Sequence, residues 1–356
     1  MLQKLERRAV LLAMVFACLG GQAWAADKPL DGGPPPRKVY ISFHIIRISD
    51  IDSAQQIFNA DFYLRLRWFD PKYTAQPMGM LTEPPDWRPL VDLVNAKEYS
   101  VDLDVNPKLV GPGILQVTKR YRGTFSAGME LHTFPFDVQN LDIVIEDGES
   151  DASKLEWVLE SHGTGDVQTL RERNGLGSPE EVFDLQRAEL PEWKVLAIHA
   201  ERGRHVYSFL GDLPFSRFKI EFTLARQARF YEVKVILVMV VIVVMSWLSF
   251  FLKPESLGER GAICMSALLA VIAHNYVVST ILPPISYLTT LDYLMLGAMA
   301  LVLFAALESL YVYQMIHRAG EAHGQRATEI ARRLDRTCLA ASPLLMGLAL
   351  IACYTR

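Results

Sequence analysis

The residue with the most pointed chemistry is a carboxylate at the head of an apolar run. Glu259 opens the stretch 258–282, GERGAICMSALLAVIAHNYVVSTIL, which as a helix is about long enough to cross a hydrocarbon core of roughly 30 Å. At steps of three and four, Ala262, Ser266, Leu269, Ala273, Tyr276 and Thr280 fall on one helical face. That face is small, hydroxylated or intermittently bulky, whereas Ile263, Met265, Leu268, Val271, Ile272, Val277, Val278 and Ile281 fill the others. Such a stripe is costly against lipid and cheap against water, and a carboxylate at its end attracts cations and repels anions. The competing reading is a packed helix whose small residues let neighbours approach closely, with Glu259 paired to Arg260 or Lys253. His274 stands one position off the stripe, where a hydrogen bond to a neighbouring helix is the expectation.

Two further sets of residues carry charge in patterns that suit ligands. Tyr63, Arg65 and Arg67 share one face of an alternating segment, and neighbouring arginines are suited to holding a carboxylate. Glu146 and Asp147, in the run Glu146-Asp147-Gly148-Glu149, present carboxylates that would bind a cation, a divalent metal or a protonated amine. Each of these residues reads equally well as ordinary sheet surface. His199, Glu201 and His205 suit a metal ion in type but not in spacing, and a solvated loop is the simpler reading, so no metal or cofactor is assigned. No nucleophile elbow, paired catalytic carboxylates or well-spaced metal motif is present, which sets enzymatic function aside.

These side chains need two kinds of framework. Alternating segments rich in Ile, Val, Phe and Tyr are expected as strands at 39–48, 58–68, 100–105, 114–125, 140–146, 154–159, 193–200 and 215–224. Separated by Pro, Gly and Asp turns, with no amphipathic helix between them, they predict a β-sandwich, and the Gly-rich polar stretch 163–179 reads as a long loop. Four apolar spans follow at 230–252, 258–282, 291–312 and 337–354. The first lacks an internal proline, so a straight, stiff helix is expected there.

The N-terminus carries Lys4, Arg7 and Arg8, an apolar run, and then Ala23-Trp24-Ala25, which reads as a cleaved secretory signal at 1–25. The organisation that follows is a Pro/Gly linker at 26–37, the sandwich at 38–228 and a four-helix membrane domain at 229–356 containing a basic linker at 313–336. That linker holds Arg318, Arg326, Arg332, Arg333 and Arg336, whereas the loop between the second and third spans has no Lys or Arg. The linker is therefore expected in the cytoplasm, as a short helical extension, with the sandwich and the C-terminus outside. Cys18 leaves with the signal, and Cys264, Cys338 and Cys353 lie in apolar segments, so no disulfide framework is available. A net charge of −4 with no basic block interleaved with aromatics excludes a nucleic-acid partner.

At 132–140 the chain reads HTFPFDVQN, and there it resembles the pentameric ligand-gated ion channels, the Cys-loop receptor superfamily. Phe134-Pro135-Phe136-Asp137 and Gln139 match the signature loop of that family, while Ala127 and Leu141 stand where animal members carry the bracketing cysteines, as in bacterial members. Trp87-Arg88-Pro89 with Leu93-Val94-Asn95 resembles the first principal-face binding segment, and Trp68 the strand tryptophan of the complementary face. The stretch from Arg226 to Tyr231 resembles the entry to the first membrane helix, Ser246-Trp247 its far end, and Ile281-Leu282-Pro283 the end of the second. Together these cover nearly the whole chain after the signal.

The resemblance implies an extracellular β-sandwich followed by a four-helix transmembrane domain, assembled as a homopentamer in a lipid bilayer, for a bacterial member the inner membrane. It implies a ligand-gated, cation-selective channel with five copies of the second helix around an aqueous pore. Glu259 then forms a ring of carboxylates for permeant monovalent cations; anion-conducting relatives usually carry Pro-Ala here, where this chain has Gly258-Glu259. Leu269 is the leading gate and Tyr276 an outer constriction. Gating coupling is implied for Asp50, Asp52, Phe136, Asp137, Arg226 and the loop from Pro283, with a salt bridge from Arg226 to one of the aspartates. The ligand would sit between subunits, with Tyr207 and Phe215 as cage aromatics acting through cation–π attraction. Val94 stands where relatives often have an aromatic, and 146–149 lacks the usual cage tryptophan. The small-molecule agonist is thus open among an amine, an amino acid, a proton and a divalent cation. A non-conducting membrane receptor of the same fold is the alternative.

Overall fold

The computed structural model describes residues 35–102, 106–160, 190–280 and 284–355. The expected signal segment, the loop 163–179 and Ile281, Leu282 and Pro283 lie outside the described residues. Within them the first two thirds of the chain is built on strands: β1 (Arg37–Asp52), β2 (Ile57–Phe69), β3 (Gly79–Met80), β4 (Val91–Leu93), β5 (Ala96–Val101), β6 (Lys108–Gly111), β7 (Ile114–Ser126), β8 (Val138–Asp147), β9 (Leu155–Leu159), β10 (Trp193–Tyr207) and β11 (Leu213–Arg226). One sheet runs β3-β6-β7-β2-β1-β9 with β5 beside β7, and the facing sheet runs β10-β11-β8-β4. Every pairing is antiparallel except β1 with β9.

β2 shows why these residues make strands. Phe58, Ala60, Phe62, Leu64, Leu66 and Trp68 point into the core while Asn59, Asp61, Tyr63, Arg65 and Arg67 point out, the two-residue period of a half-buried sheet. Burying each large side chain of this kind contributes about 1.5–3 kcal/mol. Trp68 is therefore a core residue, 1% exposed and edge-on to Trp87 at 6.2 Å, and not the complementary-face residue the resemblance suggests. The alternation that presents Tyr63, Arg65 and Arg67 excludes it from their face.

β10 extends well past its expected end. His199, Glu201 and His205, read as loop residues, are strand residues paired with Glu221, Lys219 and Phe215 of β11. The hairpin closes in one tight turn, Ser208–Leu210, with Gly211 at φ 75°, a left-handed conformation that glycine adopts without steric cost. β5 starts four residues early, and β3, β4 and β6 are too short for an alternation to show in sequence.

Four apolar helices follow: α1 (Arg229–Phe251), α2 (Leu257–Ser279), α3 (Thr290–Ala319) and α4 (Gly324–Ala352), each long enough to cross a membrane. Helical hydrogen bonding continues from Thr290 to Thr355. Leu294 and Leu350 would nevertheless lie about 80 Å apart in one straight helix, yet they line the same apolar cavity of about 350 Å³ with Met239 of α1. The chain therefore doubles back between α3 and α4, and the segment 313–336 expected as a basic linker is divided between the last turns of α3 and the first turns of α4. Thr289 caps α3: its hydroxyl and backbone N–H donate to Asp292 Oδ2 at 2.7 and 2.8 Å, and Asp292 N–H returns a bond to Thr289 Oγ1 at 3.2 Å, a reciprocal capping box.

α1 is not the regular helix its lack of proline predicts. A wide π-helical turn occupies Glu232–Ile236 and a tight 3₁₀ turn Leu248–Phe251. Such a wide turn loosens the backbone ladder, and within it the Val235 carbonyl accepts a bond from His274 Nε2 of α2 at 3.1 Å. His274 thus meets a neighbouring helix, as its place off the stripe predicts.

Candidate functional site

Three zones carry the expected functional residues, and the first is α2 itself. Glu259, Ala262, Ser266, Leu269, Ala273, Tyr276 and Thr280 are all exposed in the single chain, Leu269 by 70% and Tyr276 by 74%. Arg260, Cys264, Ala267, Val271 and Val278 are buried. At about 100° per residue these five cluster on the side of the helix opposite Leu269. The helix therefore packs one stripe and leaves the polar, small-residue stripe uncovered. Thr280 donates its hydroxyl back to the Val277 carbonyl at 2.7 Å, which leaves its oxygen lone pairs outward.

Glu259 forms no ion pair among the described residues. Its neighbour Arg260, the expected alternative partner, turns the other way and is fully buried. Arg260 Nε donates to the Ser249 carbonyl at 2.8 Å, and Nη2 pairs with Asp335 of α4 and lies 3.7 Å from Glu308 of α3. One cation thus ties the foot of α2 to the end of α1 and to both outer helices, and Glu259 is left free.

The second zone joins sandwich to membrane domain. Arg226, the last residue of β11, donates Nε to Asp137 Oδ1 at 2.8 Å and Nη2 to Asp137 Oδ2 at 3.1 Å, with a further bond to Ser53 Oγ at 2.8 Å. Its guanidinium lies 4.1 Å from the Trp193 ring centre and 4.8 Å from that of Phe134, so the charge is met by carboxylate and aromatic faces together. Of the three aspartates the resemblance offers, Asp137 is the partner. Asp50 instead accepts from Ser49 and Asn59, and Asp52 from the backbone N–H groups of Ala54 and Gln55. Both carboxylates shape the β1–β2 turn, where Asp50 lines a polar cleft of about 540 Å³. Phe136 is half-buried against the core, and Pro283 lies outside the described residues.

The contact across the boundary was not legible in the sequence. His132 stacks flat on Tyr287 of the α2–α3 connection, with centroids 3.8 Å apart and planes 4° apart. Tyr287 Oη accepts the Leu131 N–H at 3.1 Å, and Thr290 N–H donates to the His132 carbonyl at 2.9 Å. Both partners stand in view, His132 as the first residue of the signature and Tyr287 as the aromatic after a double proline. Only the fold puts one on the other.

The third zone is divided between the sheets. On β8, β10 and β11, Glu146 accepts from Arg217 Nε at 2.6 Å and from the Tyr207 hydroxyl at 2.9 Å. Tyr207 meets Phe215 and Phe209 edge-on, each at 5.6 Å, and His205 at 4.5 Å. Burial, and then the bond to Glu146, raise the Tyr207 hydroxyl above its ordinary pKa, so it stays a neutral donor. Arg217 was missed because its tie to Glu146 depends on the β11–β8 register, which aligns Phe218 with Ile145. Asp147, expected at the ligand face, accepts three backbone bonds from Leu90, Glu149 and Ser150 and so organises its own loop. Val94 is exposed at 38%.

On β2, Arg67 pairs with Glu160 at 2.5 Å and Arg65 with the same carboxylate at 3.4 Å, which leaves one net positive charge on that face. Tyr63 lies under the Arg120 guanidinium at 5.7 Å. Arg120 also forms a two-pronged bond to Asp61, which holds that carboxyl below its usual range. The Tyr207 set and the Arg65 set lie on different sheets. No group of three or more metal-ligating residues occurs among the described residues.

Comparison with known proteins gives two family matches in tandem: the neurotransmitter-gated ion-channel ligand binding domain over residues 25–228, and the neurotransmitter-gated ion-channel transmembrane region over 236–343. Similar proteins include glycine receptor subunit beta of Rattus norvegicus, 23% identical over 82% of this chain and 58% of that protein. Neuronal acetylcholine receptor subunit beta-2 of Rattus norvegicus is 25% identical over 83% of this chain and 57% of that protein. An acetylcholine-gated chloride channel subunit of Caenorhabditis elegans is 23% identical over 80% of this chain and 60% of that protein. The chain thus spans under two thirds of the length of these relatives.

Proposed function

The chain belongs to the neurotransmitter-gated ion-channel family, and on that footing we propose that it acts as a ligand-gated, cation-selective channel, five copies enclosing a pore lined by α2. The observation that carries this reading is the uncovered stripe of α2 with its opposite stripe packed. A polar stripe left uncovered on a membrane helix is costly against lipid and cheap against water, and a ring of copies supplies that water.

Selectivity is assigned from Glu259, the free carboxylate at the cytoplasmic foot of α2. Likeness alone does not choose the sign, since one similar protein is named as a chloride channel subunit. Five unpaired carboxylates at a narrow mouth raise the local cation concentration. The test is the reversal potential of ligand-evoked current under a salt gradient. It should follow the cation for the wild type and shift toward the anion for Glu259→Gln; a wild-type reversal that follows chloride sinks the assignment.

The ligand is proposed to sit where the Tyr207 face of one copy meets the Arg65 face of the next. Glu146 is already occupied by Arg217 and Tyr207, which weakens it as a seat for a bare amine. The net positive β2 face suits a carboxylate, and the exposed Phe209 with Tyr207 and Phe215 suits an ammonium group. An amino acid carries both groups. Screening amino acids against simple amines and simple carboxylates for evoked current tests this choice.

A further inference from the structure

Arg65 and Arg67 stand two apart on β2, so both side chains leave the same face of the sheet. The register sets a neutral acceptor directly opposite each of them, Ser42 of β1 across from Arg65 and Gln116 of β7 across from Arg67. Arg65 Nε donates to Ser42 Oγ at 3.0 Å and Arg67 Nε to Gln116 Oε1 at 2.7 Å. These bonds fix both guanidinium groups without neutralising either charge. Their outer nitrogens converge on one point, where Arg67 Nη1 lies 2.5 Å from Glu160 Oε1 and Arg65 Nη2 lies 3.4 Å from Glu160 Oε2. Among the described residues neither arginine has another carboxylate partner. Both arginine side chains remain 34% exposed, so the seat between them is reachable from solvent.

Glu160 fits this seat unevenly. Its backbone N–H is tied to the Ile41 carbonyl at 2.8 Å, just past the parallel pairing of β9 with β1, so its side chain reaches Arg67 and stops short of Arg65. A charge-assisted bond from a guanidinium to a carboxylate runs about 2.7–2.9 Å. The 3.4 Å approach lies outside that range, and Glu160 Oε2 is buried without a hydrogen-bond partner. A carboxylate with no tether to a strand can meet both arginines at full bonding distance. We propose, on the footing of the ligand face assigned to β2 above, that Glu160 is a built-in competitor for the ligand carboxylate and holds the seat between Arg65 and Arg67 until a ligand displaces it. A group tethered beside its site competes at an effective concentration on the order of millimolar. Simple carboxylates are therefore disfavoured, and a ligand with a second anchor, such as an ammonium group against Tyr207 and Phe215, is admitted.

The experiment is a saturation-transfer NMR titration of the assembled full chain in neutral detergent with acetate, a carboxylate with no second anchor, and in parallel with glycine. Glu160→Gln should bind acetate about tenfold more tightly than the wild type, roughly the effect of one hydrogen bond to a charged group. Glu160→Asp, whose arm is one methylene shorter, should gain in the same direction by less. Adding Arg65→Gln to Glu160→Gln should cancel the gain. Glu156→Gln removes a carboxylate from the same strand, one that pairs with Arg202 at 3.0 Å instead of the β2 arginines, and it should bind acetate as the wild type does. Unchanged acetate affinity in both Glu160 variants would overturn the competitor and leave a structural ion pair. An equal gain in Glu156→Gln, or a gain that survives Arg65→Gln, would overturn it in favour of diffuse surface charge. If acetate gains as expected while glycine binds no variant, the competitor stands and the amino-acid reading falls. Conduction does not enter the readout, so the channel assignment is tested separately.

Discussion

Two buried arginines bracket the membrane domain, Arg226 at the sandwich end and Arg260 at the cytoplasmic end, and they are held in different ways. Arg226 meets a single carboxylate, Asp137, in a two-pronged bond, with Ser53 and the faces of Trp193 and Phe134 completing its surroundings. Arg260 faces two carboxylates, Asp335 and Glu308, and leaves Nη1 and both Glu308 oxygens without hydrogen-bond partners. The upper site is one-to-one and satisfied; the lower is one-to-two and unsatisfied. A charge pair with no reserve is intolerant of any single loss, whereas a cluster with a spare carboxylate can re-pair.

The largest effect should come from breaking the upper pair on one side. Arg226→Ala leaves Asp137 buried and unpaired, at a cost of about 3–5 kcal/mol, read as a fall in the thermal unfolding temperature and loss of ligand-evoked current. Removing both partners, Arg226→Met with Asp137→Asn, should recover part of that stability. If the double change is as damaging as the sum of the singles, the pair is not an isolated unit.

How much of this was legible in advance differs between the two ends. The stripe of α2 and the alternation of β2 are periodic, so sequence carries them directly. Arg226 was expected to meet an aspartate, but the choice of Asp137 over Asp50 and Asp52 depends on a turn that consumes the other two. Arg260 reads in sequence as a partner for the adjacent Glu259. Its true partners on α3 and α4 are set by how the helices fold back, which no local spacing encodes. The wide turn in α1 was hidden for a similar reason: no proline marks it, and its evident companion is His274 on another helix.

At the lower site Asp335→Asn should cost less, about 2 kcal/mol, because Glu308 remains to pair Arg260. The same assay with Glu308→Gln added should then show a loss larger than the two single effects combined; additivity would remove the idea of a spare carboxylate. A smaller effect is expected where the two domains touch. Tyr287→Phe keeps the ring on His132 but loses the bond to the Leu131 N–H, a change of about 1 kcal/mol. A rightward shift of the agonist response should follow, and a response identical to the wild type would remove that bond from the coupling.

The smallest effect separates buried from surface pairing. Asp61 is held below its usual pKa by the bond from Arg120. Its stabilisation is therefore complete above the ordinary carboxylate range and lost as pH falls through the lowered value. Thermal unfolding followed from about pH 6 down to about pH 3 should show a steeper loss for the wild type than for Arg120→Gln. Equal slopes would mean that this pair contributes nothing measurable.

The central claim is that water lines the uncovered stripe of α2 and not the packed one. Substituting Ser266→Cys and, separately, Ala267→Cys, then applying a charged thiol reagent during ligand-evoked current, tests it directly, since the native Cys264 is buried. Current through the Ser266→Cys channel should be irreversibly altered while the wild type and Ala267→Cys are untouched. Modification of Ala267→Cys with Ser266→Cys spared would contradict the pore assignment.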